Sequence, residues 1–177
     1  MRKAMYLMGV CWTISTSNGW PRMGSGLLEP RGKTLVREGQ ALDSVFVLLD
    51  GELAVTTGSK QIATLYAGEV VGEISFVDSR PPLATVTASV DSRLLAVAKD
   101  RLELKMETDK KFAANFYHAI AIFLADRLRS TTVRLGYGEG KEQQAAALEA
   151  DDLGDELLET VSLGARRFDE LLRRVFR

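Results

Sequence analysis

The sequence has too few cysteines and histidines for a disulfide framework or a conventional metal site. Cys11 is the only cysteine and His118 the only histidine among 177 residues. A single cysteine excludes an internal disulfide and is typical of a reducing compartment. The usual zinc ligand sets need several such side chains, so we expect neither a metal nor another cofactor.

Excess charge and long apolar runs are missing as well. The formal net charge is −1, so electrostatics gives no reason to expect nucleic acid or an anionic membrane as a partner. No run approaches the ~20 apolar residues that span a bilayer. The apolar run within residues 1–10 is short and lacks a cleavage-site pattern, so we expect a cytoplasmic protein.

Short segments of β character follow one another from residue 26 onward. Apolar residues make up 46% of the chain, as in an ordinary globular domain with extensions. Turn residues separate the segments at intervals of about 8–12 residues, which is typical of a sandwich or barrel. The predicted strands are 27–29, 33–37, 44–49, 52–57, 61–66, 83–88 and 92–98.

Local turn chemistry predicts which of these strands pair. Asp50-Gly51 is a strong hairpin signal between strands 44–49 and 52–57. A turn at Asp91 predicts that strands 83–88 and 92–98 pair across it. The predicted fold is mainly β with flanking α: a double-sheet jelly-roll barrel, followed by a long helix and a C-terminal helix.

After residue 98 the hydrophobic period becomes helical. Asp100 is placed to cap a helix over 101–107, and Asp109 to cap a longer helix over 109–130. That helix carries a wide apolar stripe: Phe112, Phe116, Ala119, Ile120, Phe123, Leu124 and Leu128, widened by Ala113, Tyr117, Ala121 and Ile122. Two interpretations stay open, that the stripe only covers the jelly roll or that part of it forms a homodimer contact.

The remaining chain divides into a linker and one amphipathic segment. We assign 1–23 as a poorly defined N-terminal segment, 24–130 as the domain, 131–160 as a glycine- and acid-rich linker and 161–177 as a C-terminal helix. In that last segment Phe168, Leu171, Leu172 and Val175 recur at helical spacing among five arginines. It can dock on a protein partner or a membrane surface, or it can pack back on its own domain or on a second subunit. We favour the packing on its own domain or a second subunit.

The richest stretch for chemistry runs from Val71 to Val86. Gly72 and Glu73 open a short helical turn, whose backbone N–H groups can face an anion. Glu73 can accept hydrogen bonds from sugar hydroxyls, and Arg80 can pair with a phosphate. The stretch therefore predicts an anion-binding site.

This stretch resembles the phosphate-binding cassette of cyclic-nucleotide-binding domains. Val71-Gly72-Glu73-Ile74-Ser75 and Ala84-Thr85-Val86 resemble its two ends. The run from Glu38-Gly39 through Asp50-Gly51-Glu52-Leu53 is similar to the family's signature before the cassette. The likeness covers about residues 24–129 and implies an eight-stranded jelly roll with flanking helices, of the catabolite-activator effector type.

The resemblance implies a ligand, cyclic AMP or cyclic GMP, and roles for particular residues. Glu73 would hold the ribose 2′-hydroxyl, and N–H groups near Ile74 and Ser75 would face the cyclic phosphate. Thr85 would lie near the phosphate or base. The implied ligand-binding residues are Gly72, Glu73, Ile74, Ser75, Arg80, Ala84 and Thr85.

The family's phosphate-binding arginine is replaced in this sequence. Its position is Pro82, and Arg80 lies two residues earlier. Either Arg80 substitutes from a reshaped loop, or cyclic nucleotides bind poorly; the stiff Pro81-Pro82 pair favours the second. Alternatively Glu73 and Arg80 form a salt bridge that closes an empty pocket, with Gly72 a turn glycine.

The resemblance implies a regulatory function and not an enzyme, because no nucleophile–base arrangement and no P-loop is present. We expect a stand-alone sensor or regulatory module with degenerate cyclic-nucleotide binding. The alternative is a transcription regulator of the catabolite-activator type with a lost or replaced DNA-binding domain. Residues after the long helix show no paired-helix pattern, so DNA is not the expected partner.

Residues 11–19 depart from the family in one further way. The family usually has an amphipathic helix rich in Asp and Leu there. Codons compatible with these residues, read one base out of frame, give Leu-Asp-Asp-Ile-Asp-Ile-Glu-Trp, which has that helical character. The hypothesis is a local frameshift, and the nucleotide sequence of the gene tests it.

Overall fold

Two four-stranded antiparallel sheets pack face to face in the computed structural model, which describes residues 24–134. The first sheet has the order β1-β8-β3-β6 and the second β2-β7-β4-β5. The strands are β1 (Gly24–Glu29), β2 (Thr34–Val36), β3 (Ser44–Asp50), β4 (Glu52–Thr57), β5 (Lys60–Tyr66), β6 (Val70–Val71), β7 (Thr85–Ala88) and β8 (Ser92–Ala98). The predicted mainly-β jelly roll with flanking helices is confirmed.

Three helices accompany the sheets within the described residues. They are α1 (Glu73–Val77), α2 (Lys99–Thr108) and α3 (Lys110–Arg134). Asp109 caps α3 as predicted, since its Oδ1 accepts a hydrogen bond from the Phe112 N–H at 2.9 Å. Asp100 does not cap α2: the helix begins two residues earlier than predicted, at Lys99, with Ala98 at the cap position.

Both predicted hairpins are wrong. β3 and β4 lie in different sheets, as do β7 and β8. Gly51 (φ +101°) turns a corner between the sheets, and a Cβ there would lie 2.3 Å from Ser92 Oγ. A turn signal marks a change of direction, and in a jelly roll that change carries the chain across to the opposite sheet.

The interior between the sheets forms one of two hydrophobic clusters. It is built by alternating side chains of both sheets: Val36, Phe46, Leu48, Leu53, Leu65, Val71, Val86, Ala88 and Leu94. Because strand side chains alternate, the opposite face of β3 and β8 also needs cover. The α2 and α3 helices provide it.

The apolar stripe of α3 packs on the outer face of the first sheet. Phe112, Phe116 and Phe123 are buried there against β3 and β8, together with Leu102 and Met106 of α2. This part of the stripe covers its own jelly roll, as one of the two interpretations expected. Tyr117, Ile122 and Leu128 of the same helix stay exposed.

The predicted boundaries meet the structure only in part. The α3 helix continues to Arg134, four residues into the segment assigned as linker. The predictions for 1–23, the frameshift hypothesis, and the predictions for the rest of the linker and for 161–177 lie outside the described residues. Between residues 24 and 134, no helix is long and apolar enough to cross a membrane.

Candidate functional site

The cassette starts with a glycine that no other residue can replace without strain. Gly72 has φ +90° and precedes α1, and a Cβ there would lie 2.7 Å from Leu42 Cδ2 and 2.9 Å from Ser44 O. L-residues rarely adopt positive φ. The Phe76 N–H donates to Gly72 O at 3.0 Å and closes the first turn of α1. The tight turn places the Glu73 side chain inward.

Glu73 is the most deeply buried charged residue of the site, with 1% of its surface exposed. Its carboxylate forms an ion pair with the Arg127 guanidinium of α3. Burial raises the pKa of Glu73, while the positive charge of Arg127 opposes that rise. Desolvation disfavours the charged carboxylate, and a nearby cation favours it. The site thus holds a buried acid whose partner comes from a distant helix.

Arg127 is held at a second point. Its other terminal nitrogen donates to the Val70 carbonyl at 2.7 Å, so one guanidinium joins the end of β6 and the start of α1. Sequence reasoning missed this residue; it considered only Arg80 as a salt-bridge partner of Glu73, as the alternative in which the pocket is empty. A signal was present, since Arg127 lies four residues after Phe123, where the buried stripe of the helix continues.

Contacts with α2 and α3 hold the rest of α1 in place. Ser75 is buried, and its carbonyl accepts a hydrogen bond from Lys99 Nζ at 2.8 Å. Phe76 packs edge-on against Phe116 of α3, with ring centroids 5.6 Å apart. Ile74 remains 48% exposed. The structure therefore brings Gly72, Glu73 and Ser75 together and fixes them to α2 and α3.

Arg80 lies apart from this group. It is exposed, and its backbone N–H donates to Asp78 Oδ1 at 3.0 Å. Glu73 already pairs with Arg127, so a Glu73–Arg80 salt bridge is not the arrangement observed. That Arg80 substitutes for the missing phosphate-binding arginine stays a prediction.

The second end of the cassette is tied to the segment before β3. The Pro82 carbonyl accepts from the Gly39 N–H at 2.8 Å, and Thr85 Oγ1 accepts from the Glu38 N–H at 3.1 Å. Ala84 and Thr85 are half-buried. Two hydrogen bonds thus fix the segment that leads into β7. The bond from the Gly39 N–H holds Pro82 by its backbone carbonyl.

The family of this domain follows from its sequence as well as its fold. The family model described as "Cyclic nucleotide-binding domain" matches residues 30–109, which hold β2 to β8, α1 and α2. Residues 30–109 therefore match the cyclic-nucleotide-binding domain family, as the sequence predicted.

Two curated relatives and one solved structure show how far the similarity extends. The cAMP-dependent protein kinase regulatory subunit of Yarrowia lipolytica is 33% identical over 78 residues, 43% of this chain and 20% of that protein. The Pycsar effector protein XpPycTIR of Xanthomonas perforans is 27% identical over 107 residues, 60% of this chain and 34% of that protein.

The solved structure is a cyclic nucleotide-binding domain from Methylobacillus flagellatus. It matches with a TM-score of 0.62 at 21% identity, covering 74% of this chain and 81% of that one. At that identity the match shows the fold alone. The chain spans between a fifth and a third of the length of the two curated relatives, so the likeness concerns the domain and not their whole activities.

Proposed function

We propose that this domain is a sensor or regulatory module that takes a cyclic nucleotide, cyclic AMP or cyclic GMP, at its cassette with reduced affinity. The observation that carries the proposal is the buried Glu73 carboxylate, paired with Arg127 of α3. A buried acid that can accept hydrogen bonds from hydroxyl groups suits a ribose. The family of the domain and the relative that regulates a cAMP-dependent kinase support this ligand class.

The reduced affinity follows from the loop. Pro82 offers no charge to a phosphate, and Arg80 is exposed. A hydrogen bond to a charged group contributes about 1.5–3 kcal/mol, so its loss weakens binding by roughly ten- to a hundredfold. The N–H groups of α1 remain as partners for the phosphate.

Calorimetry with cyclic AMP and cyclic GMP tests the proposal. We expect Pro82→Arg to tighten binding by roughly ten- to a hundredfold, because it supplies the missing charge. Arg80→Ala, the matched control, should leave the affinity unchanged. Tight binding by the unmodified protein that Arg80→Ala abolishes would show that Arg80 does substitute. No binding by either the unmodified protein or Pro82→Arg would remove the ligand class.

We further propose that the domain forms a homodimer through α3. Exposed residues of this helix follow a four–three spacing: Ala114, His118, Ala121, Ala125, Leu128 and Thr132. This period keeps one seam toward a parallel or antiparallel partner helix, and small side chains let two helices approach closely. Tyr117 and Ile122, 51% and 36% exposed, flank the seam.

Light scattering over a concentration series tests the dimer. Ala121→Glu places a charge in the seam and should give monomers. Leu104→Glu, on an exposed position of α2 (61% exposed), is the matched control and should not change the mass. A monomeric unmodified protein at all concentrations would refute the contact.

The Glu73–Arg127 pair supports a link between the pocket and the dimer helix. A ligand hydroxyl that donates to the Glu73 carboxylate shares this acceptor with the Arg127 guanidinium of α3. Ligand binding and the position of α3 therefore influence each other. We expect saturating cyclic nucleotide to change the dimer dissociation constant of the unmodified protein but not of Arg127→Met.

A further inference from the structure

The outer face of the cassette carries apolar side chains that the described residues leave uncovered. Ile74 and Val77 lie three residues apart on α1, hence on one face, and each is 48% exposed. Leu83, in the loop that follows, is 83% exposed. We call these three residues the cassette patch. Several exposed apolar residues on one short segment of chain are typical of a contact surface.

Acidic groups lie beside this patch. Asp78 follows Val77 directly, and its carboxylate acts together with those of Asp43 and Glu103 on the Lys99 ammonium. Lys99 in turn donates to the Ser75 carbonyl of α1. Three acids against two cations, Lys99 and the exposed Arg80 two residues after Asp78, leave one net negative charge at this acidic border of α1. A cationic and apolar partner therefore fits the surface.

The last helix, α3, ends close to the cassette. Arg127 contacts Glu73, the first residue of α1, and α3 ends seven residues later at Arg134. A helix rises about 1.5 Å per residue, so its end is about 10 Å along the axis from that contact. Residues 135–177 therefore start near the cassette.

The last part of that chain has the chemistry that the surface requires. In a helix over 161–177, the stripe of Phe168, Leu171, Leu172 and Val175 would be apolar. Arg167 and Arg174 are two helical turns apart, and at 3.6 residues per turn both lie at one border of the stripe. The stripe matches the cassette patch, and the two arginines match its acidic border.

We propose that segment 161–177 docks in cis on the cassette patch, with its apolar stripe on Ile74, Val77 and Leu83 and its arginines toward Asp43, Asp78 and Glu103. As a flexible linker, residues 135–160 would have an end-to-end distance of about 28 Å, enough to reach this face. Tethering gives the segment an effective concentration near the millimolar range. The proposal does not depend on any ligand in the pocket.

Limited trypsin digestion of the full chain, followed by mass spectrometry, tests the docking. Cleavage after Arg167 and Arg174 should be slow in the unmodified protein, compared with a synthetic peptide of residues 161–177. The double variant Ile74→Ser/Val77→Ser should speed this cleavage about tenfold, because two aliphatic contacts are lost. Leu28→Ser, at a position 70% exposed on β1, is the matched control and should cleave like the unmodified protein.

A second variant tests the charges. Asp78→Asn keeps the oxygen that accepts from the Arg80 N–H but removes the negative charge, so cleavage should speed up several-fold. Both effects should be independent of protein concentration. Protection that grows with concentration would place the segment on a second copy and overturn docking in cis. Cleavage as fast as in the peptide, or protection only with anionic lipid vesicles, would overturn it too.

Discussion

The guanidinium of Arg127 on α3 pairs with the carboxylate of Glu73 on α1, across 54 residues of sequence. The same side chain also donates to the Val70 carbonyl. Three elements, β6, α1 and α3, therefore meet at one cation. Because Glu73 is buried, removing its partner leaves an isolated charge in the interior, where it is costly.

We expect Arg127→Ala to lower the free energy of unfolding by about 3 kcal/mol, the usual cost of breaking a buried pair. Urea denaturation monitored by circular dichroism measures it. The double variant Glu73→Gln/Arg127→Ala should recover about 1 kcal/mol or more, since no charge is then left unpaired. Additive losses in the double variant would contradict a direct pair.

The buried Glu73 also makes stability depend on pH. Its pKa is raised by burial above the ordinary 4.5, so between that value and its pKa in the folded state the native protein binds more protons than the unfolded one. The unfolding free energy should therefore fall as pH rises through this interval. Glu73→Gln should lack this fall. Denaturation at a series of pH values compares the unmodified protein with Glu73→Gln. The same dependence of the unfolding free energy on pH in both proteins would contradict the prediction.

Gly72→Ala should destabilise the domain by more than about 1 kcal/mol, because it adds a close contact to an unfavourable φ. Gly58→Ala is the control: Gly58 also has positive φ (+57°), but a Cβ added there would meet no atom within 4 Å. Thermal unfolding separates the backbone cost, shared by both, from the contact with Leu42 and Ser44. Equal shifts in both variants would show that the contact relaxes without cost.

Phe116→Ala should cost about 3–5 kcal/mol, as for other buried phenylalanines. Phe116 is 2% exposed, stacks on Phe112 and packs edge-on against Phe76. Phe116→Leu should cost less, since it keeps part of the volume. Because Phe76 belongs to α1, hydrogen exchange of α1 amides should quicken in Phe116→Ala. Unchanged exchange there would mean that α1 is held without this ring.

Asp109→Ala should lower the urea midpoint, because the hydrogen bond to the Phe112 N–H and the contact with Lys105 are both lost. Asp109→Asn keeps the hydrogen bond to the Phe112 N–H, so its urea midpoint should lie between those of Asp109→Ala and the unmodified protein. The hydrogen bond from Lys105 lowers the pKa of Asp109 below 3.8, so its stabilising contribution fades as pH falls through that lower pKa. A midpoint for Asp109→Asn equal to that of Asp109→Ala would exclude the cap.

The sequence predicted where strands lie better than how they pair. Apolar alternation and turn residues placed β4 and β8 at their observed bounds. Pairing failed at Asp50-Gly51, because a turn signal is local while the choice of sheet depends on the whole barrel. The sequence could point to the cassette residues around Glu73 because their pattern, like that of a single strand, is local.

The role of Arg127 could not be predicted from a local sequence pattern. Its role depends on α3 crossing the first sheet so that one turn of the helix comes to β6 and α1, a long-range arrangement. An arginine on the apolar stripe was the one local sign. Glu73 pairs with Arg127 and not with Arg80, although Arg80 is much closer to it in sequence.

The bond between the Pro82 carbonyl and the Gly39 N–H has a consequence for evolution. It fixes the path of the loop without using any atom of the side chain at position 82. The loop can therefore keep its course while the residue there changes. Proline and arginine codons, CCN and CGN, differ by one base, so a single point mutation in either direction adds or removes a positive charge at this position.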